Sequence, residues 1–247
     1  MFDIGILGGM GPIATSVLYN RIINFTFANK DQNHPKTIII SDSSVPDRTD
    51  YILGKSDDNP LVEIEKDIDV LNLLQCKTVI MGCNTAHYFH KEVAKRVNGK
   101  FLNMVKLALD YIKFSHLPDK ICVLCTLGAK KANVFSEWNE SVFYPDDENC
   151  KKIQEIIYYI KDTVNFDLQN ATLKLQNVID DIRNRFGENI TFLLGCTELS
   201  VLSKSMKNDN VVDAMDVVAI ASIIASGFTP NCKNSLDLTI IKSMVED

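Results

Sequence analysis

The sequence predicts an α/β protein of two similar lobes. Each lobe is a mainly parallel sheet flanked by helices, and the two are related by a pseudo-twofold axis, with a cleft between them. Three observations lead there. Short apolar runs alternate with segments of helical period, which implies parallel strands joined by helices. A strand-turn-helix pattern starting at Ile4 returns at Ile121, 117 residues on. A Gly-Cys pair ends an apolar run at Gly82-Cys83 and again at Gly195-Cys196, with the two cysteines 113 residues apart. An internal duplication accounts for both offsets.

The elements follow in order. Asp3 to Leu7 reads as a buried strand, and Gly8-Gly9-Met10-Gly11-Pro12 as a glycine turn. Pro12 suits the first turn of a helix, expected to reach about Asn29. Thr37 to Ser41 is a second strand, and Ser43 to Pro60 reads as a long loop. Leu61, Ile64, Ile68, Leu71 and Leu74 have helical spacing. Thr78 to Met81 is a strand running into Cys83, with an amphipathic helix expected over His87 to Val97. Phe101 to Met104 is a short apolar segment and Val105 to Phe114 a helix.

The second series opens with a strand at Lys120 to Cys125 and a helix expected from Leu127 to about Trp138. Ser141 to Tyr144 is a short strand, and Asn149 to Lys161 and Leu168 to Phe186 are helices. Gly187 fits a helix stop. Ile190 to Leu194 is the strand before Cys196, with a short helix after Thr197. Val211 to Asp213 is a strand and Ala214 to Ser226 a hydrophobic helix, while the tail from Pro230 has no clear pattern. The expected division places residues 1–104 and 209–247 in one lobe and 105–208 in the other.

Composition narrows the function. A formal charge of −6 and a pI near 5.3 argue against a nucleic-acid or membrane-surface partner. No apolar run approaches the ~20 residues of a membrane span. The first residues, MFDIGILGGMGP, read as a strand rather than a signal peptide. Seven cysteines without scaffold spacing point to a reduced, cytoplasmic setting. Cys122 and Cys125 form a C-x-x-C, but on a strand residues three apart face opposite ways, so core packing is the reading. The glycine turn lacks the Lys-Ser/Thr of a P-loop and does not match G-x-G-x-x-G.

Ligands of such sheets bind outside the carboxyl ends of the strands, where Cys83 and Cys196 both stand. Helix N-termini beside them would lower a thiol pKa and receive a carboxylate. Asn84, Thr85 and Thr197 are candidate caps. Two thiols across a cleft suit proton transfer at a carbon acid: one thiolate removes the proton and the opposite thiol returns it on the other face. The pair must then share about one proton. The plain alternative is two small buried residues at strand ends.

Four stretches carry a resemblance. Ile6-Leu7-Gly8-Gly9-Met10-Gly11-Pro12, Pro46-Asp47-Arg48-Thr49, Gly82-Cys83-Asn84-Thr85-Ala86-His87 and Gly195-Cys196-Thr197-Glu198-Leu199 resemble the aspartate racemase group of the cofactor-independent aspartate/glutamate racemase superfamily. Glutamate racemases have an Asp-Ser near the first strand and a histidine after the second Gly-Cys-Thr, where this chain has Gly9-Met10 and Glu198. The resemblance implies two α/β lobes with the active site in the cleft, no pyridoxal phosphate or other cofactor, no metal and a homodimer. It implies an acidic amino acid as substrate, with Cys83 and Cys196 catalytic. Substrate contacts are implied for Met10, Arg48, Asn84, Thr85, Thr126, Lys161, Thr197 and Glu198.

Several of these keep a bland alternative. Arg48 could be a surface arginine paired with Asp47 or Asp50, and Lys161 an ordinary helix-end lysine. His87 could orient Cys83 or only pack its helix; Glu198 could polarise Cys196 or be a helix-start carboxylate. Where the family has a second threonine and a tyrosine, this chain has Ala129 and Phe135, and Lys130 and Lys131 are additional. That departure suggests altered side-chain specificity. Within the superfamily the rivals are glutamate, broad-specificity or hydantoin racemases and maleate isomerase; outside enzymes, a silent amino-acid-binding protein.

Overall fold

The computed structural model describes residues 1–162, 165–206, 210–231 and 236–246. The boundary expected at residues 208 and 209 lies outside them, as do residues 232–235 and 247 of the tail. The elements run β1 (Phe2–Gly8), α1 (Pro12–Phe25), β2 (Thr37–Ser41), α2 (Arg48–Ile52), α3 (Leu61–Leu73), β3 (Cys76–Met81), α4 (His90–Arg96), β4 (Lys100–Leu102), α5 (Met104–Phe114), β5 (Ile121–Leu124), α6 (Leu127–Lys131), β6 (Val142–Phe143), α7 (Asp147–Asp162), α8 (Leu168–Phe186), β7 (Thr191–Leu194), β8 (Val211–Asp213), α9 (Ala214–Ala225) and α10 (Leu238–Glu246). Short 3₁₀ turns at Thr85–Phe89 and Leu199–Val201 follow the two cysteines.

Among the described residues the strands form two parallel sheets of four, in the orders β2-β1-β3-β4 and β6-β5-β7-β8. The two orders are equivalent, so β3 and β7, the strands ending at the cysteines, hold the same place in each sheet. Alternation along the strands assigns their faces. Ile4, Ile6 and Ile80 of the first sheet join Ile121, Val123 and Leu193 of the second in one core with α1, α5 and α9. Leu7, Val79 and Met81 face α3 and α4. Cys122, Leu124, Phe192 and Leu194 face α7 and α8. The helices α1, α5 and α9 therefore lie between the sheets. Cys122 and Cys125 fall in different cores, as opposite strand faces require.

Residues from 209 on were expected with the first lobe. The strand β8 instead pairs with β7 of the second sheet, through Phe192 with Val211 to Leu194 with Asp213. Only then does the chain return, as α9 packs on α1 and α5. The tail without a clear pattern forms α10, which packs on α9 and α5.

The first helix ends at Phe25, short of Asn29, and three further differences from the expected helices each have a local reason. The helix after Leu127 ends at Lys131 rather than Trp138, because Asn133 takes a φ of 54°, a left-handed conformation that asparagine tolerates. The loop from Ser43 to Pro60 contains α2, whose Thr49 and Asp50 N–H groups donate to the Asp47 carboxylate. The helix from His87 is replaced by a 3₁₀ turn before α4 begins. No described helix is long and apolar enough to cross a membrane.

Candidate active site

The glycine turn after β1 places backbone where side chains would not fit. Gly9 has a φ of 82°, and a Cβ there would lie 2.3 Å from the Asp42 backbone. A Cβ on Gly11 would lie 2.9 Å from Glu198 Oε1, so the turn of the first lobe touches the carboxylate of the second. Met10 contributes its carbonyl, which accepts from Arg48 Nη2 at 2.8 Å.

Arg48 is buried at 6% exposure, not a surface arginine. Its Nη1 donates to the carbonyls of Val45 and Pro46 at 3.1 and 2.9 Å. The three carbonyls orient the fork without cancelling its charge. Burial works against the guanidinium's charge, but Cys83, Asp47 and Glu198 hold its pKa above the ordinary value. Asp47 turns away, capping α2 and lying 3.5 Å from Lys161 Nζ. Lys161 leaves the last turn of α7 with its ammonium over the Tyr158 ring and its side chain 15% exposed. Burial opposes its charge, yet Glu198, Cys196 and Asp47 raise its pKa while Arg48 opposes. Two cations thus share one rim with Glu198, Met10 and the glycine turn, around a cavity of about 230 Å³. A larger groove of about 580 Å³ runs between α7 and α8 and holds none of the candidate residues.

Cys196 is 4% exposed, and its Sγ–H donates to Glu198 Oε2 at 2.9 Å. Burial pushes this thiol well up; Glu198 and Cys83 add to the rise and Lys161 opposes it. The neighbour of Cys83 is different: this thiol lies beside the Arg48 guanidinium. One thiol faces a carboxylate and the other a guanidinium. Glu198 is therefore bound to the thiol, and the three-residue 3₁₀ turn it precedes has no macrodipole of consequence. Both expected helix N-termini are 3₁₀ turns, and neither Asn84 nor Glu198, which stand at their starts, makes a side-chain cap.

Asn84 is 1% exposed, and among the described residues neither Nδ2 nor Oδ1 has a hydrogen-bond partner. The same holds for Arg48 Nε and Glu198 Oε1. Buried polar atoms are seldom left unpaired, so this cluster marks where a polar ligand would be bound. Thr85 and Thr126 share a hydrogen bond of 2.9 Å between the lobes, and Thr126 also accepts from Ala129 N–H at the start of α6. Thr197 Oγ1 donates to the Gly82 carbonyl at 3.4 Å, tying one cysteine junction to the other. These three hydroxyls engage the protein, which leaves Asn84 as the unengaged donor beside Cys83.

His87 does not point at a thiol. Met104 N–H donates to Nε2 at 3.1 Å, so Nδ1 carries the proton and donates to the Cys83 carbonyl at 2.8 Å. Burial lowers its pKa to about 4, keeping it neutral. The departure at Ala129 to Phe135 does not line the cavity either. Phe135 is fully buried and passes under Gly195, where a Cβ would lie 2.7 Å from its ring. Lys130 pairs outside, with Asp147 at 3.1 Å and Cys150 at 3.3 Å. Cys83, Cys196, Asn84, Thr85, Thr126 and Thr197 likewise stand outside the wall of this cavity.

Sequence reasoning missed Arg21, buried at 1% exposure and paired with Asp213 at 2.8 Å and with Asp216. The signal was present: Arg21 shares its helix face with Leu18 and Ile22, where a charge is out of place.

The chain matches the Asp/Glu/Hydantoin racemase family over residues 7–222. It is 27% identical to the aspartate racemase of Picrophilus torridus, with a TM-score of 0.82 over 97% of this chain and 98% of that one. An aspartate racemase homologue from Pyrococcus horikoshii is 20% identical, with a TM-score of 0.68 over 92% and 99%. A glutamate racemase from Bacillus anthracis is 15% identical, with a TM-score of 0.61 over 98% and 92%. At those two lower identities the likeness is one of fold. With its doubled sheets, paired cysteine junctions and this match along most of its length, the chain belongs to the Asp/Glu/Hydantoin racemase family.

Proposed function

We propose that the protein interconverts L- and D-aspartate by proton transfer at the α carbon, without a cofactor, using Cys83 and Cys196 as the two proton carriers. The observation that carries this is the opposite electrostatic setting of two buried thiols at equivalent strand ends. Cys196 holds its proton toward Glu198, and Cys83 lies in the field of Arg48. Cys83 removes the α proton of one enantiomer while Cys196 delivers its own to the opposite face. The product leaves the pair with its proton transferred, ready for the other enantiomer, so the two carriers share one proton.

Aspartate is favoured as substrate because two cations, the buried Arg48 and the partly buried Lys161, border one small cavity. Two carboxylates meet two cations there, and the volume lies below the ~300–1,000 Å³ usual for larger ligands. The unengaged Asn84 amide supplies a further donor. Both thiols are buried, at 6% and 4% exposure, so a bound substrate reacts out of water, where the cations stabilise the carbanionic state more strongly.

The test is α-proton exchange. L-aspartate is incubated in D₂O with the protein and followed by proton resonance and chiral chromatography. Deuterium should enter Cα as the D enantiomer forms. Absence of exchange with every acidic amino acid tried would reject the racemase reading and favour binding alone. Exchange with glutamate but not aspartate would correct the substrate.

A further inference from the structure

The Arg21 guanidinium does more than neutralise Asp213 and Asp216. Its Nη2 donates to the Ser200 carbonyl at 2.5 Å and to Ser203 Oγ at 2.8 Å. Asp213 closes the circuit by accepting from Ser200 Oγ at 2.7 Å and from Met215 N–H at 2.9 Å. Ser200 is thereby gripped by its carbonyl and its hydroxyl, from α1 on one side and from the end of β8 on the other. The chain between Cys196 and Ser200 has little slack. Leu199 N–H donates to the Cys196 carbonyl at 3.0 Å, and Val201 N–H to the Glu198 carbonyl at 3.1 Å. Cys83 has a separate support, the His87 ring on its carbonyl.

We propose that Arg21 is a positioning residue for the second thiol: through Ser200 it fixes the turn from Cys196 to Ser200, and with it the Glu198 carboxylate that receives the Cys196 proton. The proposal rests on the reading of Cys196 as a proton carrier. A lock between elements would serve the whole molecule alike. A positioning residue tied only to the Cys196 turn serves one half of the reaction.

Arg21→Lys keeps a charge for Asp213 but loses the planar fork that reaches Ser200. Ser200→Ala leaves the Arg21 ion pairs intact and removes the grip of Asp213 on the turn. Both are followed by iodoacetamide alkylation of Cys83 and Cys196, resolved by mass spectrometry, and by α-proton exchange of L- and D-aspartate in D₂O. A displaced Glu198 no longer holds the Cys196 proton. Its alkylation relative to Cys83 should then rise by about tenfold, the effect of a one-unit change in pKa. Exchange of the enantiomer deprotonated by Cys196 should fall by roughly 10–100-fold, as misplacement of a reacting group does. The other enantiomer should continue to exchange, but without inversion.

Equal changes at both thiols and for both enantiomers would overturn the proposal in favour of a general lock. So would an unchanged Cys196-to-Cys83 ratio in a folded variant. If Arg21→Lys does not fold, Ser200→Ala decides through Asp213, the carboxylate by which Arg21 reaches the Ser200 hydroxyl. Should the unsubstituted protein exchange no acidic amino acid, the racemase reading fails, while the alkylation ratio still decides whether Arg21 governs Cys196.

Discussion

At the scale of single residues, the site is a set of charges placed so that two identical thiols behave differently. Replacing either one should be nearly fatal: Cys83→Ser or Cys196→Ser should lower racemisation by at least ~10³-fold, since a serine hydroxyl is far too weakly acidic to carry the proton. Full racemisation by either variant, measured by chiral chromatography, would rule out the two-thiol reaction. Arg48→Lys keeps the charge but cannot span the carbonyls of Met10, Val45 and Pro46 at once. We expect KM for aspartate to rise and kcat to fall together, by roughly tenfold or more, from steady-state rates. His87 makes a prediction about stability. Its folded pKa of about 4 lies below the ordinary 6.5, so the unfolded chain binds more protons between these values. Stability should therefore be lost as pH falls from 6.5 toward 4, by on the order of 3 kcal/mol. In His87→Gln, urea denaturation should show lower stability at pH 7 and a deficit that shrinks on acidification. A deficit independent of pH would contradict a buried neutral histidine.

At the scale of elements, the glycine turn between β1 and α1 separates two kinds of constraint. Gly9→Ala places a methyl group against backbone and forces an unfavourable φ. It should cost about 2 kcal/mol or more in a denaturant titration. Gly11→Ala meets only the end of the Glu198 side chain. It should leave the melting temperature nearly unchanged while activity falls, because Glu198 and the Cys196 proton must shift. Equal destabilisation by both would mean that Gly11 is structural as well. The element boundaries that differ from expectation have equally local causes. The left-handed Asn133 ends α6, and the Asp47 cap creates α2 inside what reads as a loop. The first was hidden because asparagine also fits a helix; the second was visible as an Asp before Arg48-Thr49-Asp50.

At the scale of the molecule, the two sheets share one core through α1, α5 and α9, and beside the cysteines the lobes also touch through polar and close contacts: Thr197 with Gly82, Thr85 with Thr126, Lys161 with Asp47, and Gly128 against Thr49. A ligand that completes the unpaired atoms of Asn84, Arg48 and Glu198 adds to these. In Cys83→Ser, which should bind without turnover, aspartate at a hundred times its Kd should stabilise by about 2.7 kcal/mol, or roughly 5–10 °C in a protein of this size. A thermal scan with L-aspartate, D-aspartate and succinate measures this. No shift with any of them would place the acidic ligand elsewhere.

The alternation of strands and helices, the duplication and the two cysteine junctions were all legible in the sequence. They rest on local periods of 2 and 3.6 residues, which need no knowledge of what lies across the fold. Arg48 and Lys161 became candidates through the resemblance to the racemase motifs, not through periodicity, and their surroundings stayed open. Burial of Arg48 under three carbonyls, the bond from Cys196 to Glu198 and the tautomer of His87 depend on partners that local periodicity does not register. Arg21 is the extreme case, since Asp213 stands 192 residues away along the chain. Sequence by itself determined that there are two equivalent thiols. Only the tertiary structure made them unequal, because folding brings a carboxylate beside one and a guanidinium beside the other.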